Sequence, residues 1–110
     1  MAITAEVSED GIGNRGMPDN IIFIGGKPFM NYVTGVVMQF TTKNAGDVII
    51  KARGKFISRT VDVAEVSAKR FLDNSVEVSG IRIDSEGFRN IEGRDIRVST
   101  IEIKLSRNRQ

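Results

Sequence analysis

The stretch Ile24-Gly25-Gly26-Lys27-Pro28-Phe29-Met30-Asn31-Tyr32-Val33 determines how the fold begins. The apolar run 21–24 predicts a short buried strand, and the two glycines and the lysine after it separate this strand from a helical pattern. Pro28 suits the first helical position, where its missing N–H costs nothing. The sequence therefore predicts a strand, a glycine turn and a helix, with free backbone amides and the Lys27 ammonium placed to bind an anion.

The glycine turn also has a simpler explanation, because a tight connection from strand to helix needs glycine for its geometry alone. The turn is not a Walker A loop, since the chain has no Gly-x-x-x-x-Gly-Lys-Ser/Thr pattern. On spacing alone the geometric explanation is favoured. Other segments must decide whether Lys27 binds an anion.

The rest of the pattern predicts one more helix and three more strands. Apolar residues follow helical spacing from Phe29 to Phe40, and the β-branched run 48–50 is typical of a buried strand. A second helical pattern follows Ser58, the expected N-cap, and ends near residues 73–74. Two long strand candidates complete the order β-α-β-α-β-β. This order predicts an α/β fold, an α+β two-layer sandwich with two helices on one face of a four-stranded mixed sheet.

The apolar residues of the last two strands change their phase. They fall on even positions up to Val78 and on odd positions from Ile81, so we expect a β-bulge or a sharp bend at Gly80. A similar change of phase falls near residues 99–100. The segment between the two strands, residues 85–94, is polar and contains glycine, which predicts a hairpin that projects from the body.

Composition excludes several classes of protein. With 110 residues, 40% hydrophobic and 27% charged, the chain is expected to form one globular domain. It has no cysteine and no histidine, which removes disulfides, the commonest general base and the commonest transition-metal ligand. We expect no catalytic residue, no metal and no cofactor. Apolar runs stay below the ~20 residues of a membrane span, and the start lacks signal-peptide features, so a cytoplasmic protein is expected.

The charge is unevenly distributed along the chain. Residues 1–19 mix glycine, acids and proline without periodicity, and we expect them to form a flexible tail before a folded domain at residues 20–110. Residues 1–20 hold four acidic side chains and one basic one, a net charge of −3. Because the whole chain has a net charge of +2, residues 21–110 have a net charge of +5. This mild excess fits a polyanionic partner, and it fits an ordinary solvated surface equally well.

Three segments together carry a family resemblance. They are the glycine turn quoted above, Lys51-Ala52-Arg53-Gly54-Lys55, and Arg97-Val98-Ser99-Thr100-Ile101-Glu102-Ile103. In this order and spacing, over residues 20–107, the chain resembles the Alba family of archaeal nucleic-acid-binding chromatin proteins. The resemblance implies the same order of elements. It also implies a chromosome-associated homodimer, or a heterodimer with a paralogue, that binds double-stranded DNA, with RNA as the alternative partner.

In the Alba family the glycine turn carries two adjacent lysines that contact the nucleic-acid backbone. Lys27 matches the second of them, and Gly26 stands where the first would be. The lost charge at Gly26 should weaken phosphate binding. The first lysine is the acetylation target in the family, so the resemblance does not carry that regulation over to this chain.

Lys51, Arg53 and Lys55 form a second candidate site. Alternation along a strand puts Lys51 and Arg53 on one face, and three cations this close favour a shared anionic partner. The small residues between them, Ala52 and Gly54, would let a phosphate backbone approach. A solvated strand end is the simpler alternative, and the resemblance favours binding.

The projecting hairpin is the third candidate site. The resemblance implies that it reaches along the minor groove, with Arg89, Arg94 and Arg97 as contacts, and arginine suits a narrow minor groove. Pairing within the hairpin is the alternative, because acidic side chains balance these charges. The acidic residues are Asp84, Glu86, Glu92 and Asp95.

Phe71 and Leu72, at the end of the second helix, are most simply core residues. In the Alba family the aromatic residue at the position of Phe71 contributes to contacts between dimers along DNA. The resemblance further implies a dimer formed through the second helix and the last two strands. The sequence does not separate a core role from a contact role for these two residues.

Three functions compete at this point. The leading one is sequence-independent binding that coats or compacts double-stranded DNA, with no small-molecule substrate and no membrane partner. The second is RNA binding, as a chaperone or a subunit of an RNA-processing complex. The third is an enzyme that uses Asp84 and Glu86 as Mg²⁺ ligands. It is disfavoured because neighbouring arginines explain those carboxylates better.

Overall fold

The computed structural model describes residues 20–108. The predicted tail, residues 1–19, lies outside these residues, so its boundary with the domain stays a prediction. The elements follow the predicted order. They are β1 (Ile21–Phe23), α1 (Phe29–Thr41), β2 (Asp47–Arg53), α2 (Ile57–Val66), β3 (Val76–Arg89) and β4 (Asp95–Arg107). A 3₁₀ turn (Gly54–Phe56) precedes α2, and a π-helical turn (Ser67–Phe71) follows it.

The four strands form one mixed sheet in the order β1-β2-β4-β3. β1 and β2 are parallel, with Ile22 opposite Ile50, and β4 is antiparallel to both of its neighbours. The predicted two-layer sandwich is thereby confirmed. Because β1 and β2 are parallel, both strands end at the same edge of the sheet, and the segments that follow them begin side by side.

The core lies between the helices and one face of the sheet. Alternation along β2, and along β4 from Ile101 to Leu105, places every second side chain in this layer, while the intervening side chains occupy the opposite, open face. Each large apolar side chain buried here contributes about 1.5–3 kcal/mol. The buried strand residues are Val48, Ile50, Ala52, Ile101, Ile103 and Leu105, and the helices add Val33, Val36, Phe40 and Val63.

The β-bulge expected in β3 is confirmed. The register with β4 shifts between Val78 and Gly80, and the extra residue, Ser79, bonds through its hydroxyl to Ser106 at 2.7 Å. The second change of phase, in β4, has a different cause. The register there runs without interruption from Asp95 to Arg107. In the described part of the chain no helix covers the hairpin beyond the body, so its apolar residues can lie on either face without a bulge.

The start of α2 differs from the prediction. The helix begins at Ile57, directly after the 3₁₀ turn, so Ser58 lies inside the first helical turn and is not the N-cap. The reason is Gly54, whose φ of +58° turns the chain out of β2 and starts the 3₁₀ turn at once. The predicted end near residues 73–74 is confirmed, since Asp73 and Asn74 both have positive φ.

Candidate nucleic-acid interface

Five cations gather at the edge of the sheet where β1 and β2 end. The glycine turn leaves β1 beside β2, because the Ile24 N–H donates to the Lys51 carbonyl at 2.8 Å. The 3₁₀ turn leaves β2 at the same edge, and α2 follows it. We call this surface the basic edge. It consists of Lys27, Lys51, Arg53, Lys55 and Arg59.

The prediction that the backbone amides of the glycine turn are free is wrong for two of them. The N–H groups of Gly25 and Lys27 both donate to the hydroxyl oxygen of Tyr32, at 3.0 and 3.1 Å. Tyr32 lies one turn into α1 and is buried, so its ring fixes the position of this oxygen. Neither amide is therefore available to a phosphate. The turn can contribute the side chain of Lys27, whose backbone is held in place by Tyr32.

Arg59 is a further cation of this edge that the sequence prediction did not include. Its guanidinium donates to the Gly25 carbonyl at 2.6 Å and lies 5.7 Å from the centre of the Tyr32 ring. These contacts connect α2 to the glycine turn and bring a fifth positive charge to it. The signal in the sequence was weak, since Arg59 stands in a helix with an ordinary polar face.

Lys51 and Arg53 share the open face of the sheet, as predicted, but each has an acidic neighbour. Lys51 Nζ lies 3.3 Å from Glu102 Oε2, and Arg53 Nε lies 3.9 Å from Glu86 Oε1. Glu102 stands opposite Lys51 in the β2–β4 pairing, so register alone brings these two together. The mutual repulsion expected among the cations is thus relieved within the protein, and a phosphate would have to compete with two carboxylates.

Lys55 lies in the 3₁₀ turn and is exposed, with its ammonium 5.5 Å from the centre of the Phe56 ring. Gly54 separates it from Arg53, and the base of the hairpin passes nearby. A Cβ at Gly54 would lie 3.7 Å from Val98 Cγ1. That distance is an ordinary van der Waals contact, so the space beside the hairpin would admit a side chain, and glycine is favoured at this position by its positive φ.

The hairpin projects past the basic edge, because β2 ends at Arg53, opposite Thr100, while β3 and β4 continue to Arg89 and Asp95. We call residues 84–99 the arm. It makes the described molecule elongated, with extents of 52 × 24 × 23 Å. The prediction of a projecting hairpin is confirmed.

The arginines of the arm have local partners. Arg89 Nε lies 3.4 Å from Asp95 Oδ1, which is the pairing within the hairpin that the sequence left open. Arg97 donates to the Ser85 hydroxyl at 3.0 Å. At the tip, the N–H groups of Glu92 and Arg94 both donate to the side-chain oxygen of Asn90. These bonds give the tip a defined shape. The sequence suggested that Glu86 balances an arginine of the hairpin. Instead, its carboxylate lies next to Arg53 of the body.

Phe71 and Leu72 differ clearly in their exposure to solvent. Leu72 is buried in the core, whereas Phe71 is 53% exposed at the end of the π-helical turn. Neighbouring residues of a helix point in directions about 100° apart, so Leu72 can face the core while Phe71 faces solvent. Of this pair, only Phe71 offers its side chain as a contact surface.

The described residues offer no site for a metal and no membrane span. Within residues 20–108 no three histidine, cysteine or carboxylate side chains are grouped closely enough to hold a metal ion. None of the helices in that range has the length and apolar character needed to cross a bilayer.

Comparison with known proteins assigns the family. The profile of the Alba family matches residues 20–85. The chain belongs to the Alba family. The "DNA/RNA-binding protein Alba" of Nanoarchaeum equitans is 56% identical over 90 residues, which cover 81% of this chain and 97% of the relative. The protein of the same name from Methanocella arvoryzae is 52% identical over 91 residues, 83% of this chain and 93% of that one.

A solved structure of an Alba protein supports the same assignment. The Alba protein from Thermoplasma volcanium superposes with a TM-score of 0.73 at 51% identity, covering 80% of this chain and all of that one. The Alba resemblance seen in the sequence is therefore confirmed, together with the fold it implied. The relatives are named for binding nucleic acid and not for a reaction, in agreement with the expectation that this chain is not an enzyme.

Proposed function

We propose that this Alba-family protein binds double-stranded DNA without regard to sequence and, as a dimer, coats or compacts it on the chromosome. The observation that carries the proposal is the convergence of five cations and the arm at one end of the molecule. Lysine and arginine contacts to phosphate position a protein on the duplex without reading its sequence. The names of the relatives, which specify binding of DNA and RNA, support the same partner.

The ion pairs of the basic edge are compatible with this function. Lys51 and Glu102 are each 31% exposed in their side chains, so water reaches both of them. Partly exposed pairs of this kind contribute only about 0–1 kcal/mol. A phosphate can displace such a carboxylate, while release of the condensed counterions of DNA supplies the driving force. The carboxylates lower the affinity without abolishing it.

The arm supports a contact beyond the basic edge. The arm continues past the end of β2, from the level of Thr100 to the tip between Arg89 and Asp95. A protein seated with its basic edge on the phosphates can thus extend its arm along the groove. Arg89 and Arg94 lie near the tip, where their planar heads suit a narrow minor groove.

A second copy of this chain fits the apolar side of β3. Val78, Ile81 and Ile83 stand opposite buried residues of β4 on the helix side of the sheet, yet none of the helices within residues 20–108 covers them. Ile81 is 64% and Ile83 is 76% exposed, and Val61 and Phe71 add apolar surface from α2 and the π-helical turn. A dimer through this surface would bury side chains that are costly to leave in water.

Alanine variants of the basic edge test the function directly. Lys27→Ala and Arg53→Ala should each weaken binding of a fluorescent duplex, as measured by anisotropy at fixed salt. Lys43→Ala is the matched control, because Lys43 is an exposed lysine just beyond the end of α1, away from the edge. Thermal melts establish that all variants fold. If both edge variants bind like the wild type, the proposed surface is wrong.

RNA binding is the second candidate function, and one observation favours it. An open cavity with an aromatic wall lies on the open face of the sheet, next to the basic edge. Aromatic side chains beside cations are typical of sites that hold unpaired bases.

A further inference from the structure

A cavity of about 120 Å³ opens on the face of the sheet that the helices leave uncovered. An engineered cavity of about 150 Å³ in another protein binds benzene, so a site of this size can admit the six-membered ring of a base, and the fused second ring of a purine can extend through its open side. Its floor is strand backbone, and its walls come from all four strands. The lining residues are Phe23, Lys51, Ala52, Arg53, Glu86, Thr100, Ile101 and Glu102.

Phe23 gives the cavity an apolar wall. It ends β1 directly beside Lys51, and its ring centre lies 5.8 Å from the Lys51 ammonium. Phe23 thus belongs to the row of side chains on the open face, where it can contact a ligand. Stacking of a base on an aromatic side chain is worth about 1–3 kcal/mol.

The charges of the cavity favour a neutral ligand. The lining holds two cations, Lys51 and Arg53, and two carboxylates, Glu86 and Glu102, in ion pairs of 3.3 and 3.9 Å. Their sum is zero, so as long as both ion pairs are intact the cavity has no excess charge to attract a phosphate. A neutral ring with both hydrogen-bond donors and acceptors on its edge matches it better, while the phosphates of the same strand can lie on Lys27 and Lys55 outside.

We propose that this cavity binds one unpaired guanine of a single-stranded nucleic acid, a role that rests on the nucleic-acid binding proposed above. Guanine presents two acceptors, O6 and N7, for Lys51 or Arg53. When it is unpaired, its N1–H and N2–H₂ groups form two adjacent donors, which one carboxylate such as Glu102 accepts in charge-assisted bonds. Uracil, adenine and cytosine lack this pair of adjacent donors.

Short oligouridylates test the proposal. One carries a single central guanosine, one a central adenosine, one a central cytidine, and one is uridine throughout. Anisotropy at fixed salt should show the guanosine oligomer binding at least about tenfold more tightly than the all-uridine one, since a good bidentate pair discriminates by about this factor or more. Equal affinity for all four oligomers, or preference for another base, overturns the guanine assignment.

Glu102→Gln distinguishes recognition of the base from a general effect of charge on affinity. Removal of a negative charge should raise the affinity for the all-uridine oligomer, whereas the ratio of guanosine to uridine affinity should fall several-fold. Asp47→Asn is the matched control, because Asp47 pairs with Lys104 at 3.6 Å on the same strands but outside the cavity. This control should leave the ratio unchanged. Phe23→Leu, which removes the ring and keeps an apolar residue, should also lower the ratio.

Two failures can be told apart. If the duplex binds with a steep salt dependence while the guanosine preference is absent, the cavity proposal is wrong and the proposed function stands. If neither duplex nor single strands bind, the proposed function itself is wrong. A ratio that stays high in Glu102→Gln and in Phe23→Leu overturns the assignment of the guanine to this cavity.

Discussion

Glu86 of the arm lies 3.9 Å from Arg53 at the end of β2, so an acid of the hairpin neutralises a cation of the basic edge. The two residues are 33 positions apart in the sequence, and their side chains meet across β4, which lies between their strands, because Arg53 pairs with Thr100 and Glu86 with Val98 on the same face of the sheet. This contact couples the arm to the body at the place where nucleic acid is proposed to bind. The acids of the arm therefore act on the central cations as well as on their own arginines.

Replacement of Glu86 should strengthen DNA binding. Glu86→Gln removes a negative charge near the phosphates and releases Arg53 from its carboxylate, and the weak pair that is lost limits the gain to about fivefold. Glu77→Gln is the control, since Glu77 lies at the other end of the same strand and is also exposed. Anisotropy titrations of both variants at low salt measure the difference. An unchanged affinity in Glu86→Gln would show that this carboxylate does not compete with phosphate.

A lysine at Gly26 should restore a phosphate contact. Gly26 has no positive φ, and a Cβ at this position would meet nothing within 4 Å, so Gly26→Lys fits without strain. The added cation should make the slope of log affinity against log salt steeper by up to about 0.9. Thermal melts should show unchanged stability. A variant that folds normally and keeps the slope of the wild type would place the glycine turn away from the phosphates.

Loss of the Tyr32 hydroxyl should loosen the glycine turn. Tyr32→Phe keeps the ring beneath Arg59 and removes the acceptor of two backbone N–H groups. At roughly 0.5–1.5 kcal/mol per hydrogen bond, the free energy of unfolding should fall by about 1–3 kcal/mol. Chemical denaturation measures this loss, and faster hydrogen exchange at Gly25 and Lys27 would localise it. Protection at both amides equal to that of the wild type would contradict the account of the turn.

A charge on the apolar side of β3 should separate the proposed dimer. Ile83→Glu introduces a carboxylate where a second copy is expected to pack, and the monomer should stay folded because Ile83 is 76% exposed. Ile91→Glu is the matched control, since Ile91 is fully exposed at the tip of the arm. Light scattering coupled to size-exclusion chromatography should give a dimer for the control and a monomer for Ile83→Glu. A wild-type protein that is monomeric would remove the dimer from the proposal.

The sequence predicted the parts of this structure that depend on local pattern. Alternation and helical spacing predicted the order of the elements, and the change of parity between Val78 and Ile81 predicted the bulge within one residue of its place between Val78 and Gly80. Positive φ at Asp73 and Asn74 follows from side chains that tolerate it, so the end of the second helix was also predictable.

The features that the sequence did not predict depend on register and on the reach of side chains. The hydroxyl of Tyr32 accepts hydrogen bonds from the turn that precedes its own helix. These bonds depend on how deeply the ring is buried. The partner of Glu86 depends on the order of the strands, which places the hairpin over the end of β2. Phe71 and Leu72 differ because only Leu72 faces the core, and which of the two does so depends on the irregular end of the second helix, whose π-helical turn has no clear signature in the sequence.

A salt series on duplexes of defined length tests the central claim most directly. Log affinity should fall linearly with log salt, with a slope of about −2 or steeper if at least two phosphates are neutralised. Duplexes of equal length and unrelated sequence should give the same line. A flat dependence on salt, or one duplex bound far more tightly than the others, would contradict sequence-independent binding through phosphates.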